Sequence, residues 1–367
     1  MAKRLRSPVC GSAKREVCRT TDEIATRACT MVASRDFKRS RRAMRDGGVD
    51  QLVFFATHQL DGVDVRLLRA LGNQLRSPRI HSWLLLKVDD GAATLGGPEQ
   101  STTDVGLDGA FSWTEDALFR AFPRLRGLPR HAEALARKAA AAAHASGSNE
   151  SGKQWWTNRR YWWLHASLAL WNRTHGGRYA GARYWWRIEP DVLYAGNLRS
   201  FVESTASFGA DLVVPKLTTQ AQDPEYGYWS FHADLLRAMP PTRRMYSLVA
   251  LTRTTPRFIS LLTAEYWERG IIGYEELFLP HACLSHEQEC TLGALSRGAK
   301  VQHTLGWNGD HFRYRPDWPC DAFAQALRQP ANEVWHPVKH RDCVAAALDP
   351  GSRAAANLEA SLKYMYG

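Results

Sequence analysis

Residues 183–192 read RYWWRIEPDV, a run of aromatic and β-branched residues that ends in two carboxylates on either side of a proline. Aromatic and β-branched residues favour the pleated, half-buried setting of a β-strand. Pro190 cannot donate a hydrogen bond to a neighbouring strand, so we expect the regular strand to end there. Glu189 and Asp191 are therefore predicted to lie at the carboxyl end of a strand, where open α/β sheets bind their ligands.

The two acids have a metal-binding interpretation and a simpler structural one. Carboxylate oxygens are hard donors that suit Mg²⁺ or Mn²⁺, and these ions in turn hold the phosphates of nucleotides. An acid pair after a strand is also common in turns and helix caps. The spacing of Glu189 and Asp191 alone does not choose between a metal site and a turn.

The stretch 186–192, WRIEPDV, resembles the acidic motif of GT-A-type glycosyltransferases, which belong to the nucleotide-diphospho-sugar transferase superfamily. It is particularly similar to the W-R-x-E-P-x-V stretch of Kre2/Mnt1-like mannosyltransferases. In such enzymes the motif ends a strand and holds Mn²⁺ against the donor diphosphate. The resemblance implies that Asp191 is the main metal ligand and that Glu189 shares the metal or holds the donor ribose.

A late segment, VWHPVKH at 334–340, is similar to the H-P-x-K ending of related transferases. The resemblance makes His336 the third metal ligand and Lys339 a phosphate contact. The alternative for His336 is that of most lone histidines in an aromatic context, a hydrogen-bonded core or surface residue.

Three further residues are candidate contacts of the nucleotide. Lys153 and Asn158 precede a predicted helix, which in the resembling enzymes packs under the nucleotide. Arg187 can add positive charge beside the departing diphosphate. For Lys153 and Asn158 a capped and solvated helix start is an equally good interpretation.

The stretch 271–280, IIGYEELFLP, follows a predicted strand and helix in an order similar to the acceptor side of many GT-A enzymes. A carboxylate at that junction faces the acceptor hydroxyl in those enzymes, so Glu275 and Glu276 are candidate catalytic residues. If the reaction inverts the anomeric centre, one of them takes the acceptor proton. If the reaction retains configuration, both only position the substrate.

The hydrophobic periodicity predicts the fold class. A buried-strand pattern at 51–57, a helical pattern at 63–75 and a second strand pattern at 83–88 form a β-α-β unit. Such units produce parallel strands with helices packed on them. We therefore expect an α/β fold with a mainly parallel sheet, and the resemblance implies that this sheet is GT-A-like, Rossmann-type and mixed, in one large domain.

The net charge of +11 is concentrated in one segment. Residues 1–46 contain 13 Lys/Arg and 5 Asp/Glu, which leaves a balance of only +3 for the rest of the chain. We predict a basic, disordered arm at 1–46, a catalytic domain at 47–350 with an alanine-rich helix and linker insertion at 131–152, and a C-terminal helix at 351–367.

Cysteine usage and hydropathy leave the location open. No C-x-x-C pair is present, which argues against a zinc ribbon or thioredoxin-like site. Cys283, Cys290, Cys320 and Cys343 either form disulfides in a secretory compartment or stay as buried thiols. No apolar run approaches the roughly 20 residues of a membrane span, and no signal peptide is recognisable, whereas the resemblance implies a Golgi or secretory enzyme.

These observations predict a hexosyltransferase-like enzyme that uses Mn²⁺ (or Mg²⁺) to move a sugar from a nucleotide-sugar donor to a hydroxyl of a glycan or glycoprotein acceptor. A non-catalytic, lectin-like module is one alternative, because aromatic loops bind sugars. A nucleic-acid-associated protein acting through the basic arm is another, although the nearly neutral remainder argues against it. Glu189 and Asp191 are too close in sequence to flank a scissile bond as in a glycoside hydrolase.

Overall fold

The computed structural model describes residues 48–58, 62–88, 106–127, 164–226, 229, 239–296, 303–307, 312–328, 333–338, 344 and 347–348. The arm at 1–46, the insertion at 131–152 and the C-terminal helix at 351–367 lie outside these residues. The domain limits therefore stay predictions.

Strands and helices alternate along the described residues. The strands are β1 (Gln51–Thr57), β2 (Ile80–Lys87), β3 (Gly109–Trp113), β4 (Tyr184–Ile188), β5 (Leu193–Ala195), β6 (Leu212–Val214), β7 (Thr218–Thr219), β8 (Met245–Tyr246), β9 (Leu251–Thr254), β10 (Leu292–Ser296), β11 (His303–Trp307), β12 (Phe312–Trp318) and β13 (Glu333–Val338). The α-helices are α1 (Gly62–Leu75), α2 (Glu115–Ala121), α3 (Ala166–His175), α4 (Leu198–Ser204), α5 (Pro256–Leu262), α6 (Glu275–Ser285) and α7 (Cys320–Arg328). Short 3₁₀ segments cover Pro123–Gly127, Gly176–Tyr179 and Thr205–Ser207, and a π-turn covers Thr263–Trp267.

Eight strands form one sheet in the order β11-β10-β6-β9-β4-β1-β2-β3. β9 runs antiparallel to both of its neighbours, β4 and β6, and the other pairings in the sheet are parallel. Parallel neighbours need a crossover connection, and α1 provides it between β1 and β2. This mixed, mainly parallel sheet flanked by helices confirms the fold class predicted from the sequence.

Strand β4 lies inside the sheet, with β1 on one side and β9 on the other. All five of its residues are buried. Trp185 packs into the hydrophobic core on one face, and Trp186 packs into the core on the opposite face. Strand β4 is therefore held from both faces and both edges, which fixes the position of the residues that follow it.

The core on the Trp185 face is built around Trp171 of α3. Its ring makes edge contacts with Phe54 at 4.8 Å, Trp83 at 5.2 Å and Trp185 at 5.6 Å between ring centroids. Edge-to-face pairs of this kind stabilise a core by about 0.5–1.5 kcal/mol each beyond the area they bury. These contacts anchor α3 against strands β1, β2 and β4.

A second, smaller sheet has the order β12-β13-β5. β13 pairs antiparallel with β5, with Trp335 opposite Leu193. The amide of Val338 also donates to the carbonyl of Asp191 at 3.0 Å. Because β5 begins two residues after Asp191, this pairing carries the late β13 segment to the end of β4.

A disulfide joins Cys283, near the end of α6, to Cys290, which precedes β10. Of the alternatives left open by the sequence, these two cysteines adopt the disulfide.

Within the described residues, we find no helix with the length and apolar character needed to cross a bilayer.

Arg253 of β9 is a fully buried cation that joins irregular backbone to the sheet. Its guanidinium donates to the carbonyls of Thr205, Phe208 and Ala210, the last at 3.1 Å. It also lies 4.0 Å from the centroid of the Tyr184 ring, a cation–π contact. Burial lowers the pKa of Arg253 to about 10, so the side chain keeps its charge at neutral pH.

We expect the substitution Arg253→Met to lower the free energy of unfolding by about 3 kcal/mol or more, because it removes three buried hydrogen bonds, and of the three carbonyls Thr205 keeps the Phe208 amide as a donor. Urea denaturation followed by circular dichroism measures the change. The matched control is Arg269→Met, which removes an exposed pair with Glu265 and should cost less than about 1 kcal/mol. Equal effects of the two substitutions would show that the buried guanidinium does not stabilise the fold.

Candidate metal centre

The two carboxylates lie in a turn directly after β4. The Glu189 amide donates to the Ala250 carbonyl at 2.9 Å, and the Val192 amide donates to the Glu189 carbonyl at 3.0 Å. Pro190 ends the ladder, as its missing N–H predicts. The Glu189 and Asp191 side chains are 20% and 21% exposed, so both stay accessible at the end of the strand.

His336 of β13 completes a cluster with these acids. Its Nε2 atom lies 3.5 Å from Asp191 Oδ1 and 4.0 Å from Glu189 Oε2. One ligand atom from each of the three residues falls within 4.8 Å of the others. The structure thus brings together the three residues that the sequence predicted as metal ligands, from positions about 145 residues apart in the chain.

The donor set of this cluster fits a divalent cation. Two carboxylates and one imidazole match the preferences of Mn²⁺, and the carboxylates also suit Mg²⁺. Three protein ligands leave several positions of an octahedral ion for phosphate oxygens or water. The partial exposure of all three side chains gives such ligands access.

Arg187 is a buried hydrogen-bond partner of Glu189. Its guanidinium is 1% exposed and donates to the Val249 carbonyl at 3.3 Å and to Glu189 Oε1 at 3.4 Å. That Arg187 adds positive charge beside the donor diphosphate stays a prediction, and the structure shows that its guanidinium is buried between Glu189 and the Val249 carbonyl. Since Arg187 holds Oε1 of Glu189, the other oxygen, Oε2, is the one nearest His336.

Glu276, in the first turn of α6, lies within electrostatic range of the cluster. Its pKa is raised to about 7, chiefly by burial, and the negative charge of Glu189 acts in the same direction. Hydrogen bonds from Tyr226 and Tyr274 lower the pKa, as does the charge of His336. A carboxyl group that titrates near neutral pH beside a candidate metal centre can exchange protons with a substrate.

An aromatic cluster, defined here as Tyr226, Trp229 and Tyr246, lies beside Glu276. The rings of Tyr226 and Tyr246 stack at 3.8 Å between centroids, and Trp229 meets both edge-on. The Tyr226 hydroxyl donates to Glu276 Oε2, and the Tyr246 hydroxyl donates to Asp223 at 2.8 Å. The cluster therefore orients one oxygen of Glu276.

Glu275 has a different environment from its neighbour. Its carboxylate accepts from the His165 backbone amide at 2.7 Å and contacts the His165 Nδ1 atom at 2.6 Å. Its side chain is only 2% exposed. Of the two predicted catalytic glutamates, the structure puts Glu276 near the cluster and Glu275 in the core, so a direct catalytic role for Glu275 is not supported.

Lys153, Asn158 and Lys339 lie outside the described residues, so their predicted contacts with the nucleotide stay predictions. His165 is a residue of this region that no sequence pattern predicts. A lone histidine beside a leucine and an alanine carries no periodic signal, and only its distant partner identifies it.

Comparisons with known proteins add little to this geometry. No family model matches the chain, and no curated protein matches it. Solved structures do match, among them the Mn/GDP form of core-mannan synthase A from Aspergillus fumigatus. That match covers 67% of this chain and 72% of that chain, with 11% sequence identity and a TM-score of 0.36. A likeness of this size supports no inference about chemistry, which must come from the chain's own residues.

We expect Glu276 in the metal-free protein to titrate with a midpoint near pH 7, and Tyr226→Phe to move that midpoint upward by about one pH unit because it removes a hydrogen bond to the charged form. Carboxyl ¹³C NMR measures the titration, and Glu276→Gln identifies the resonance by its loss. Tyr179→Phe, which removes a hydroxyl bonded to His81 instead, is the control. A midpoint in the ordinary glutamate range would contradict the assignment.

Proposed function

We propose that this protein is a metal-dependent glycosyltransferase, which transfers a sugar from a nucleotide-sugar donor to a hydroxyl of a glycan or glycoprotein acceptor. The observation that carries the proposal is the convergence of Glu189, Asp191 and His336 at the carboxyl end of β4. Phosphorylated ligands bind at this end of α/β sheets. The WRIEPDV motif, which resembles the acidic motif of these transferases, supplies two of the three residues.

Each residue of the cluster has a distinct role in this proposal. Asp191 and His336 hold the cation directly, and Glu189 holds it through the oxygen that Arg187 leaves available. When bound, Mn²⁺ or Mg²⁺ would stabilise the negative charge of the departing diphosphate as a Lewis acid. Lys339, Lys153 and Asn158 stay candidates for further contacts with the donor.

Glu276 is the residue that we assign to the acceptor side. Its ionised carboxylate accepts a hydrogen bond from the attacking hydroxyl, while Tyr226 holds its other oxygen. If the reaction inverts the anomeric centre, the same contact transfers the proton to Glu276. A pKa near 7 suits both directions of that transfer at neutral pH.

A non-catalytic glycan-binding module is the second candidate, and the aromatic cluster of Tyr226, Trp229 and Tyr246 favours it. Stacked rings bind sugar faces without any metal. Such a module would not need Glu189, Asp191 and His336 in ligand positions. Glycan binding that is independent of Mn²⁺ and of nucleotide separates this candidate from the transferase.

We expect Asp191→Asn to weaken Mn²⁺ binding and to lower Mn²⁺-dependent turnover of the preferred nucleotide sugar by roughly 100-fold or more, because the neutral amide loses the charge that the cation requires. Calorimetry measures Mn²⁺ binding, and release of nucleoside diphosphate measures turnover across a panel of nucleotide sugars.

The matched control for this experiment is Asp116→Asn. Asp116 is about half exposed and pairs with Arg120 on α2, so both Mn²⁺ binding and turnover should stay at the wild-type level. Unchanged Mn²⁺ affinity in Asp191→Asn, with the fold intact by circular dichroism, would remove the metal assignment. Mn²⁺ binding without turnover of any nucleotide sugar would remove the transferase while leaving the metal site.

A further inference from the structure

A buried triad of polar side chains includes the neighbour of Glu276 in α6 and the ladder partner of Arg187 in β9. We define it as His165, Thr252 and Glu275. The imidazole contacts Glu275 Oε2 through Nδ1 at 2.6 Å and Thr252 Oγ1 through Nε2 at 2.7 Å. The second oxygen of Glu275 accepts the His165 backbone amide at 2.7 Å. All three residues are 2% exposed or less.

The triad connects the two halves of the proposed site. Thr252 of β9 lies opposite Arg187 of β4 in the antiparallel ladder. Residues directly opposite in a ladder project from the same face, so the two side chains are neighbours. Arg187 in turn holds Glu189. At the other end of the triad, Glu275 is the first residue of α6 and immediately precedes Glu276.

We propose that the buried triad is a positioning device that fixes the first turn of α6, and with it Glu276, relative to the carboxylates of Glu189 and Asp191. This inference rests on the proposed function, in which those two carboxylates hold the metal and Glu276 meets the acceptor. Glu275 and His165 are positioning residues, and the side chain that meets the acceptor belongs to Glu276. The tandem of glutamates thus divides into one fully buried anchor, Glu275, and one partly buried acid, Glu276.

The helix itself lacks the usual means of fixing its start. Tyr274 precedes α6 without a side-chain cap, whereas Thr255 caps α5 through its hydroxyl. Hydrogen bonds from a capping side chain usually fix the first turn of a helix. In α6 the two bonds between Glu275 and His165 tie the first turn to the segment that leads into α3.

Hydrogen-bond chemistry distinguishes an anchor from a catalytic acid. An ionised carboxylate only accepts, so Nδ1 of His165 donates to Glu275. A glutamine at 275 can accept the backbone amide with its oxygen and donate its amide to Nδ1. The imidazole then carries its proton on Nε2 and donates to Thr252 Oγ1. Every bond of the triad survives in Glu275→Gln, whereas a catalytic function of the carboxylate would be lost.

The experiment compares Glu275→Ala, Glu275→Gln and Glu276→Gln in the full-length chain. We expect Glu275→Ala to lower the rate of transfer to the acceptor by roughly 100-fold, as expected for displacement of a reacting group, with Mn²⁺ affinity unchanged. We expect Glu275→Gln to stay within about threefold of wild type, because its hydrogen bonds are preserved. Glu276→Gln should lose transfer to the acceptor, because the amide of glutamine cannot accept the proton of the hydroxyl.

A milder pair of variants covers the case in which Glu275→Ala fails to fold. Thr252→Val removes one hydroxyl from the triad and should lower transfer with Mn²⁺ affinity unchanged. Thr205→Val removes an equally buried hydroxyl, which bonds to the Val202 carbonyl, and it should leave transfer unchanged. Equal transfer defects in the two variants would show a general loss of stability and would overturn the proposal.

Amide hydrogen exchange tests the anchor without reference to catalysis. The amides of Leu277 and Phe278 donate to the Tyr274 carbonyl at 3.0 and 2.8 Å in the first turn of α6. Both should exchange faster in Glu275→Ala and at the wild-type rate in Glu275→Gln. Equal exchange in all variants, or a Glu275→Gln protein as defective as Glu275→Ala, overturns the positioning role. If the exchange rates differ between the variants as expected but the wild-type protein shows no Mn²⁺-dependent turnover, the proposed function is overturned and the positioning role is not.

Discussion

The antiparallel pairing of β13 with β5 is the interaction on which the candidate site depends. Without it, Glu189 and Asp191 would be two acids in a surface turn, with Arg187 as the cation that balances them. The pairing begins two residues after Asp191 and brings His336 within 3.5 Å of that residue. Its strength comes from backbone hydrogen bonds and from the buried side chains of Val334 and Trp335, so the site is held by a sheet rather than by its own charges.

Local signals in the sequence were sufficient for several elements of the scaffold. The strand predicted at 51–57 is β1, and the helix predicted at 63–75 is α1 with one residue more. Thr255 caps α5 with Pro256 in its first turn, and Gly270 adopts a positive φ of 79° after the π-turn. Each of these features depends on periodicity, capping or backbone conformation within a few residues, which a sequence states directly.

The directions of individual side chains at the site depend on distant partners, and the sequence could not supply them. Successive residues of an α-helix point about 100° apart, so the two members of the Glu275–Glu276 tandem have different surroundings. The buried imidazole of His165, 110 residues away, decides which one is fully buried. The surroundings of Arg187 also depend on a distant partner. Its guanidinium lies between Glu189 and the carbonyl of Val249, 62 residues along the chain, which the local pattern of residues does not specify.

The charges of Glu189 and Glu276 couple the candidate metal centre to the first turn of α6. The negative charge of Glu189 helps to raise the pKa of Glu276. In the proposed function, a divalent cation held by Glu189 and Asp191 would offset that charge, so cation binding would stabilise the ionised form of Glu276 and lower its pKa. By linkage the ionised form of Glu276 would strengthen cation binding by the same free energy. In that proposal the cation would increase the ionised fraction of Glu276 at neutral pH and would at the same time make its carboxylate a weaker base.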